Sequence, residues 1–392
     1  MLDRLQPQSA DALLALIQLH AADPRPDKID LGVGVYRDAD GGTPVFRAVK
    51  AAEERLLRKQ DSKAYLGPEG DRGFVAALRP YVFGPELAGA ERIAGVQTPG
   101  GTGAVRLALA LVKKAGGRRI LLGIPSWPNH AQIVEDLALE AVPFDHARPD
   151  GTADAERLLS LIRAGGEGDA VLLHACCHNP TGIDYTPDQW HAIAEALEES
   201  GVFPIIDVAY QGLGHGMEQD AAGLALVLDA VPQALVAYSC DKNFGLYRDR
   251  VGALYMVARD AGQLGAVCSN ANAFARATWS MPPDHGAAAV RVILEDAALT
   301  GDWLAELDGM RQRMRRVRER LAAADAQVPG VGLAALRHGN GLFAMLDLAP
   351  AQIERLRDGH AIYMAGSGRI NIAGLTEGNT PKFLAALADV AG

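Results

Sequence analysis

Five residues in the middle of the chain carry side chains that together could run chemistry on an amine: Trp127, Asn179, Asp207, Tyr210 and Lys242. A lysine amine condenses with an aldehyde to a Schiff base, and a lowered pKa makes it the nucleophile. A carboxylate such as Asp207 beside a pyridine nitrogen keeps that nitrogen protonated and turns the ring into an electron sink. Amide and phenol donors such as Asn179 and Tyr210 can hold a ring's phenolate oxygen and lower the proton affinity of an imine. An indole such as Trp127 can stack on the ring face. Each alone says little, since a lone lysine is far more often a surface residue.

What joins them is their place in the chain. Four short apolar runs, Ile120–Ile124, Ala170–Ala175, Val202–Ile206 and Ala234–Tyr238, each lead straight into a polar cluster. The clusters are Pro125–His130, His178–Gly182, Asp207–Tyr210 and Ser239–Gly245. Helical patterns such as Ala155–Ala164 and Pro187–Ser200 lie between the runs. Strands alternating with helices predict right-handed βαβ units, an α/β fold and a mainly parallel sheet covered on both faces. Ligands of such sheets bind beyond the carboxyl ends of the strands, so the fold brings all four clusters to one rim. Lysine, aspartate, asparagine, tyrosine and tryptophan on one rim describe a pyridoxal 5'-phosphate (PLP) site. The phosphate needs its own anchor. Pro99-Gly100-Gly101-Thr102-Gly103 opens the helical stretch Ala104–Val112, and the N–H groups and dipole of a helix start attract anions. Arg250 adds a forked guanidinium suited to phosphate. A dinucleotide fingerprint does not fit, because Gly101-x-Gly103 has no third glycine three residues on.

The remaining pattern is quieter. Asp302–Ala324 reads as a long helix with a buried stripe of Leu304, Leu307, Met310, Met314, Val317 and Leu321, at helical spacing. Its six arginines, Arg311 to Arg320, read as a solvated helix face. After it come strand Leu342–Leu348, helix Ala351–Asp358, strand Arg369–Ala373 and helix Pro381–Val390, a smaller α+β unit, so the pattern puts a domain change near residue 300. A length of 392 residues fits two domains. The net charge of −10 argues against a nucleic-acid partner. The first stretch, Met1 to Asp23, carries Asp3 and Asp11 and shows helical spacing of Leu13, Leu14, Ile17 and Leu19, unlike a secretion signal. No apolar run is long enough to span a membrane, and the cytosol is the expected compartment. The adjacent Cys176 and Cys177 are expected on opposite faces of a strand, and with Cys240 and Cys268 they read as free thiols. No metal site is expected: His174 and His178 read as structural. His215 reads as a loop residue, and Trp190, Trp279 and Trp303 as packing.

The stretch Ser239-Cys240-Asp241-Lys242-Asn243-Phe244-Gly245-Leu246-Tyr247-Arg248-Asp249-Arg250-Val251-Gly252 closely resembles the PLP-lysine motif of class I aspartate/aromatic aminotransferases. Landmarks along the whole chain occur in the family's order: Gly32-Val33-Gly34-Val35-Tyr36, Tyr65-Leu66-Gly67, Gly101-Thr102-Gly103, Trp127, Asn179-Pro180-Thr181-Gly182, Asp207, Tyr210, Lys242, Arg250, Arg276 and Ser367-Gly368-Arg369. The resemblance implies a fold type I PLP-dependent transferase. Its large domain, residues 44–308, would hold a mainly parallel seven-stranded sheet sandwiched by helices. Residues 1–43 and 309–392 would form the small domain from both termini. Lys242 would carry PLP as a Schiff base and shuttle the proton. Asp207, backed by His130, would pair with the pyridinium, Asn179 and Tyr210 with the phenolate oxygen, and Trp127 would stack. Gly101, Thr102, Ser239 and Arg250 would hold the phosphate with Tyr65 of a neighbouring subunit. Arg369 would clamp the substrate carboxylate beside Gly34, Trp127 and Asn179. Arg276, also from the neighbour in a homodimer, would face a distal carboxylate.

Substrate choice follows less directly. Arg276 fits dicarboxylates, and Val35, Thr43 and Thr102 resemble the aspartate type. Ala64 and Met281, however, stand where that type has asparagine, and losing two amides opens room for a ring. The expectation is transfer of the amino group of aromatic and acidic L-amino acids to 2-oxoglutarate. The alternatives are a strict aspartate aminotransferase and, behind it, a C–S lyase on the same fold, which would have no use for Arg276.

Overall fold

The computed structural model describes residues 1–7 and 12–391. Asp11 lies outside them, as do the side chains of Leu13 and Leu14. Among the described residues eleven strands run in chain order: β1 Ile29–Asp30, β2 Ile93–Pro99, β3 Arg119–Ile124, β4 Glu140–Asp145, β5 Asp169–His174, β6 Phe203–Val208, β7 Ala234–Ser239, β8 Val251–Val257, β9 Phe343–Met345, β10 Ile362–Tyr363 and β11 Arg369–Asn371. Strands β2 to β8 form one seven-stranded sheet in the order β2-β8-β7-β6-β5-β3-β4. Only β8 runs against its neighbours. The α/β reading and the mainly parallel sheet therefore hold.

The chain divides into two compact units. The larger comprises Pro44–Arg313 with Gly339–Gly341; the smaller comprises Met1–Thr43, Met314–His338 and Leu342–Gly392. The division at residue 313 is later than the change near 300 read from pattern and the boundary at 309 implied by resemblance. It falls inside the helix Ala297–Ala323, where no break in composition marks it.

In the larger unit every residue of β5, β7 and β8 is buried, as expected of strands covered on both faces. Leu107, Leu109 and Val112 of helix Gly100–Lys114 pack with Ile120, Leu172, Ile205, Leu235 and Leu254 in one core cluster. Truncating such a leucine to alanine costs about 2–5 kcal/mol. Helix Pro187–Ser200 shows why local sequence sets its ends. Thr186 caps the Gln189 N–H while the Gln189 side chain returns to Thr186, and Gly201 closes the helix in a left-handed conformation, the conformation that glycine adopts without a Cβ clash.

In the smaller unit β1 pairs parallel with β10 and β9 antiparallel with β11. One reading is corrected here. Of the six arginines, Arg318 is not on a solvated face: it is buried, and its Nη2 donates to the Phe343 carbonyl at 2.6 Å. The arginine spacing alone does not separate it from its exposed neighbours Arg315, Arg316 and Arg320.

Candidate active site

The parallel strands deliver their carboxyl ends to one rim, and all of them but β4 carry a predicted residue there. Gly100, Gly101 and Thr102 follow β2 as the first turn of helix Gly100–Lys114. Trp127 and His130 follow β3, Asn179 follows β5, Asp207 and Tyr210 close β6, and Lys242 follows β7. The reversed strand matters: because β8 runs the other way, Arg250, the residue before its start, arrives at this same rim. Arg250 does so at a φ of 56°, a left-handed conformation unusual for a side-chain-bearing residue.

Asp207 is the best-defined group. His174 pairs with it across β5 and β6, and His130 Nε2 lies 3.0 Å from its Oδ2. Ser126 Oγ lies 2.9 Å from the other ring nitrogen, Nδ1. An ionised carboxylate only accepts, so Nε2–H donates to Asp207 and Nδ1 accepts from Ser126. Burial alone would raise the Asp207 carboxyl. The His130 bond, with the electrostatic pull of His130, His174 and Lys242, outweighs it and holds the pKa below the usual carboxylate value. Its other oxygen, Oδ1, is buried and has no hydrogen-bond partner. A buried carboxylate oxygen is costly to leave unpaired, so the rim presents an acceptor waiting for an N–H.

Lys242 is half-buried, with Nζ 5.4 Å from the centre of the Tyr210 ring. Burial lowers its pKa, Arg250 adds to that, and Asp241 and Asp207 oppose it. A lowered lysine pKa supplies the neutral amine that attacks a carbonyl. Asn179 Nδ2 donates to the Tyr210 hydroxyl at 3.2 Å, and Asn179 Oδ1 is also buried without a partner. Trp127 stands edge-on to His130, the ring centres 5.2 Å apart.

The helix start has the shape of an anion cup. A Cβ on Gly101 would lie 2.9 Å from the Ser239 Cβ, and one on Gly100 would lie 2.5 Å from Arg250 Nη2. Any side chain there would fill the space in which N–H groups, the Ser239 hydroxyl and the guanidinium meet. In the smaller unit, Arg369 Nη2 donates to the Gly32 carbonyl at 2.8 Å and its guanidinium lies 4.5 Å above the Phe343 ring. A Cβ on Gly34 would come within 2.7 Å of that ring, so Gly34 and Arg369 border the same aromatic side chain. Two predicted residues are exposed. Tyr65 is 94% exposed, and Arg276 is exposed, donating to the Ser280 hydroxyl.

Other groups were missed or misjudged in sequence. His146 stacks on His178 with ring centres 3.5 Å apart, and His178 lies 4.5 Å from His174, extending a row of imidazoles behind Asp207. A third histidine just past β4 was its only signal. Trp303 does pack, stacked on Phe244 at 4.3 Å, and also donates to the Asn243 carbonyl at 2.7 Å. It thereby pins the residue after Lys242. Cys176 and Cys177 are not on opposite faces. Strand β5 ends at His174, and Cys177 turns at a φ of 52°. Both sulfurs lie within 4.8 Å of each other and of an Asp220 oxygen. That carboxylate already accepts the N–H groups of Gly212, Gly214 and His215. A cavity of about 1300 Å³ lies at the opposite, amino ends of the same strands. There Arg119 and Asp169 satisfy each other at 2.6–2.7 Å, and the convergent chemistry is at the other rim.

A helix-covered parallel sheet with a lysine, an imidazole-backed aspartate and an anion cup on its carboxyl rim defines an enzyme that works through a phosphate-bearing carbonyl group. The chain belongs to the aminotransferase class I and II family, whose model matches residues 26–387. It is 51% identical to a tyrosine aminotransferase of Rhizobium meliloti (strain 1021), over 96% of each chain. It is 39% identical to an aspartate aminotransferase of Escherichia coli (strain K12), over the full length of both. A solved aromatic-amino-acid aminotransferase from Burkholderia pseudomallei, covalently bound to pyridoxal phosphate, superposes with a TM-score of 0.96 at 32% identity, covering both chains completely. The residues of this rim fit such a group. Asp207 Oδ1 could accept a ring N–H, the glycine-opened helix and Arg250 could take a phosphate, and Lys242 could condense with an aldehyde. Among the described residues no helix is long and apolar enough to cross a membrane.

Proposed function

We propose that this aminotransferase moves the amino group of aromatic and acidic L-amino acids to 2-oxoglutarate with pyridoxal 5'-phosphate, at the rim around Lys242. The observation that carries the reading is the buried, unpartnered Oδ1 of Asp207 beside a lysine whose pKa burial lowers. When bound, the cofactor supplies an electron sink that stabilises a carbanion at the substrate's α-carbon. The chain's own residues supply the rest. Lys242 Nζ would shuttle a proton between the substrate's α-carbon and the carbon that carried the cofactor's aldehyde. Asp207 stays ionised and accepts the ring N–H, with His130 holding it in place. Asn179 and Tyr210 support the ring's oxygen, Trp127 covers its face, and Gly101, Thr102, Ser239 and Arg250 bind the phosphate. Arg369, near Gly34, takes the α-carboxylate through a forked contact.

Tyr65 and Arg276 serve a second copy of the chain in this reading. Their exposure supports it, since it leaves both side chains accessible to a second copy. Arg276 would meet a distal carboxylate. Met281, whose sulfur accepts the Leu66 N–H at 3.1 Å, and Ala64 leave the neighbourhood of Tyr65 apolar enough for aromatic rings. The dimer is thus a shared-site homodimer. Four free cysteines support a reducing, cytosolic setting.

The test is the visible spectrum of the purified protein before and after phenylalanine and, separately, aspartate. A visible band that gives way to a near-ultraviolet one with both amino acids supports dual specificity. Conversion by aspartate alone makes the enzyme a strict aspartate aminotransferase. A band that neither amino acid changes removes both substrate classes.

A further inference from the structure

One carboxylate stands among the donors of the phosphate cup. Asp241 is 2% exposed. Its Oδ2 accepts from Arg250 Nη1 at 2.5 Å and its Oδ1 from the Val251 N–H at 3.2 Å. Its own N–H donates to Ser239 Oγ at 3.2 Å. A Cβ on Gly100 would lie 2.5 Å from Arg250 Nη2 and 3.0 Å from Asp241 Oδ2. The carboxylate and the guanidinium therefore face the same helix start. Burial pushes the Asp241 carboxyl up, while Lys242 and Arg250 pull it down.

An arginine paired with a buried carboxylate is already neutralised. A phosphate dianion entering the cup must share that guanidinium with a second anion or displace it, and like charges in a desolvated site repel strongly. Arg250 does not need Asp241 to hold its position, because Nη1 also donates to the Tyr247 carbonyl at 3.1 Å. We propose that Asp241 is a built-in competitor for the cofactor phosphate at Arg250, loosening the cup's hold so that the cofactor exchanges with solution. The inference rests on the reading of Gly101, Thr102, Ser239 and Arg250 as the phosphate site. If Asp241 instead oriented Arg250 for the phosphate, its removal would have the opposite sign.

The experiment strips the full-length protein of cofactor and measures equilibrium binding of PLP and of unphosphorylated pyridoxal, for the wild type, Asp241→Asn and Asp241→Ser. Removing the charge is expected to tighten PLP binding at least about tenfold and to slow its loss from loaded protein in proportion. Pyridoxal, which lacks the phosphate, is expected to bind all three alike. Unchanged or weaker PLP binding in both variants overturns the proposal. So does an equal gain for pyridoxal, which would place the effect at Lys242. Failure of both variants to fold also overturns it, since a competing anion is dispensable to the fold. Should the wild type bind no PLP at all, it is the reading of Lys242 and its rim that fails.

Discussion

At the scale of single residues, the division of labour rests on two opposite electrostatic solutions at the ends of neighbouring strands. Asp207 is buried yet ionised, because His130 donates to one oxygen and the charges around it outweigh desolvation. Lys242 is held toward its neutral form mainly by burial. One carboxylate kept charged and one amine kept ready for attack is the pairing that makes acid–base work possible near neutrality. Asp207→Asn tests the first half. The amide is nearly isosteric, so PLP should still bind and the visible band should persist. Conversion of that band by aspartate should slow roughly 10²–10³-fold, the scale of losing one oriented electrostatic contact. A stopped-flow rate equal to that of the wild type would take Asp207 out of the site.

At the scale of elements, the site exists because loops after successive strands share a rim, and that much was legible in sequence. The four apolar runs gave strands within two residues of their observed ends, and helices Ala155–Ala164 and Pro187–Ser200 are found as read. What was illegible depends on contacts across long separations. Nothing local marks Arg318 as buried, or shows that the helix Ala297–Ala323 crosses from one unit's residues to the other's. The paired sulfurs of Cys176 and Cys177 depend on where β5 stops, which alternation of side chains does not reveal. Trp303 illustrates the same limit. It was read as packing, and only the fold shows its ring on Phe244 and its N–H on the Asn243 carbonyl, beside the lysine loop. Trp303→Phe keeps most of the stack and removes the bond. Stability should fall by about 1–3 kcal/mol for the lost hydrogen bond and the carbonyl left buried, read from denaturant unfolding. The same variant should release PLP faster than the wild type. If the off-rate stays fixed while stability drops, Trp303 supports the core and not the loop.

At the scale of the whole molecule, two consequences follow from groups that no single element owns. His146, His174 and His178 lie buried in a row, and burial lowers the pKa of each, that of His174 to about 3. Below about pH 6.5 the unfolded chain binds protons that these folded imidazoles refuse, so stability is full above that pH and falls as the pH drops. The slope is up to about 1.4 kcal/mol per pH unit for each histidine, or roughly 4 for the three. Unfolding midpoints should hold from about pH 7.5 to 6.5 and fall from there to 5.5, and a flat profile would mean the row protonates without unfolding. The second consequence concerns two copies. Tyr65 and Arg276 are exposed while Lys242 sits at the rim, so the proposed homodimer completes each site with its partner's residues. Lys242→Ala should abolish turnover, and Arg276→Ala should weaken aspartate turnover by about 2–5 kcal/mol in kcat/KM, the scale of unpairing a desolvated charge. The two variants, mixed and allowed to exchange subunits, make a mixed dimer in which one site has both Lys242 and Arg276 and the other has neither. With random pairing under two-fold symmetry, half the dimers are mixed and half their sites are whole, so aspartate activity should recover to roughly one quarter of the wild type. Recovery to that level requires Arg276 to act across the interface. Activity no higher than the average of the two separate variants would mean that each chain completes its own site.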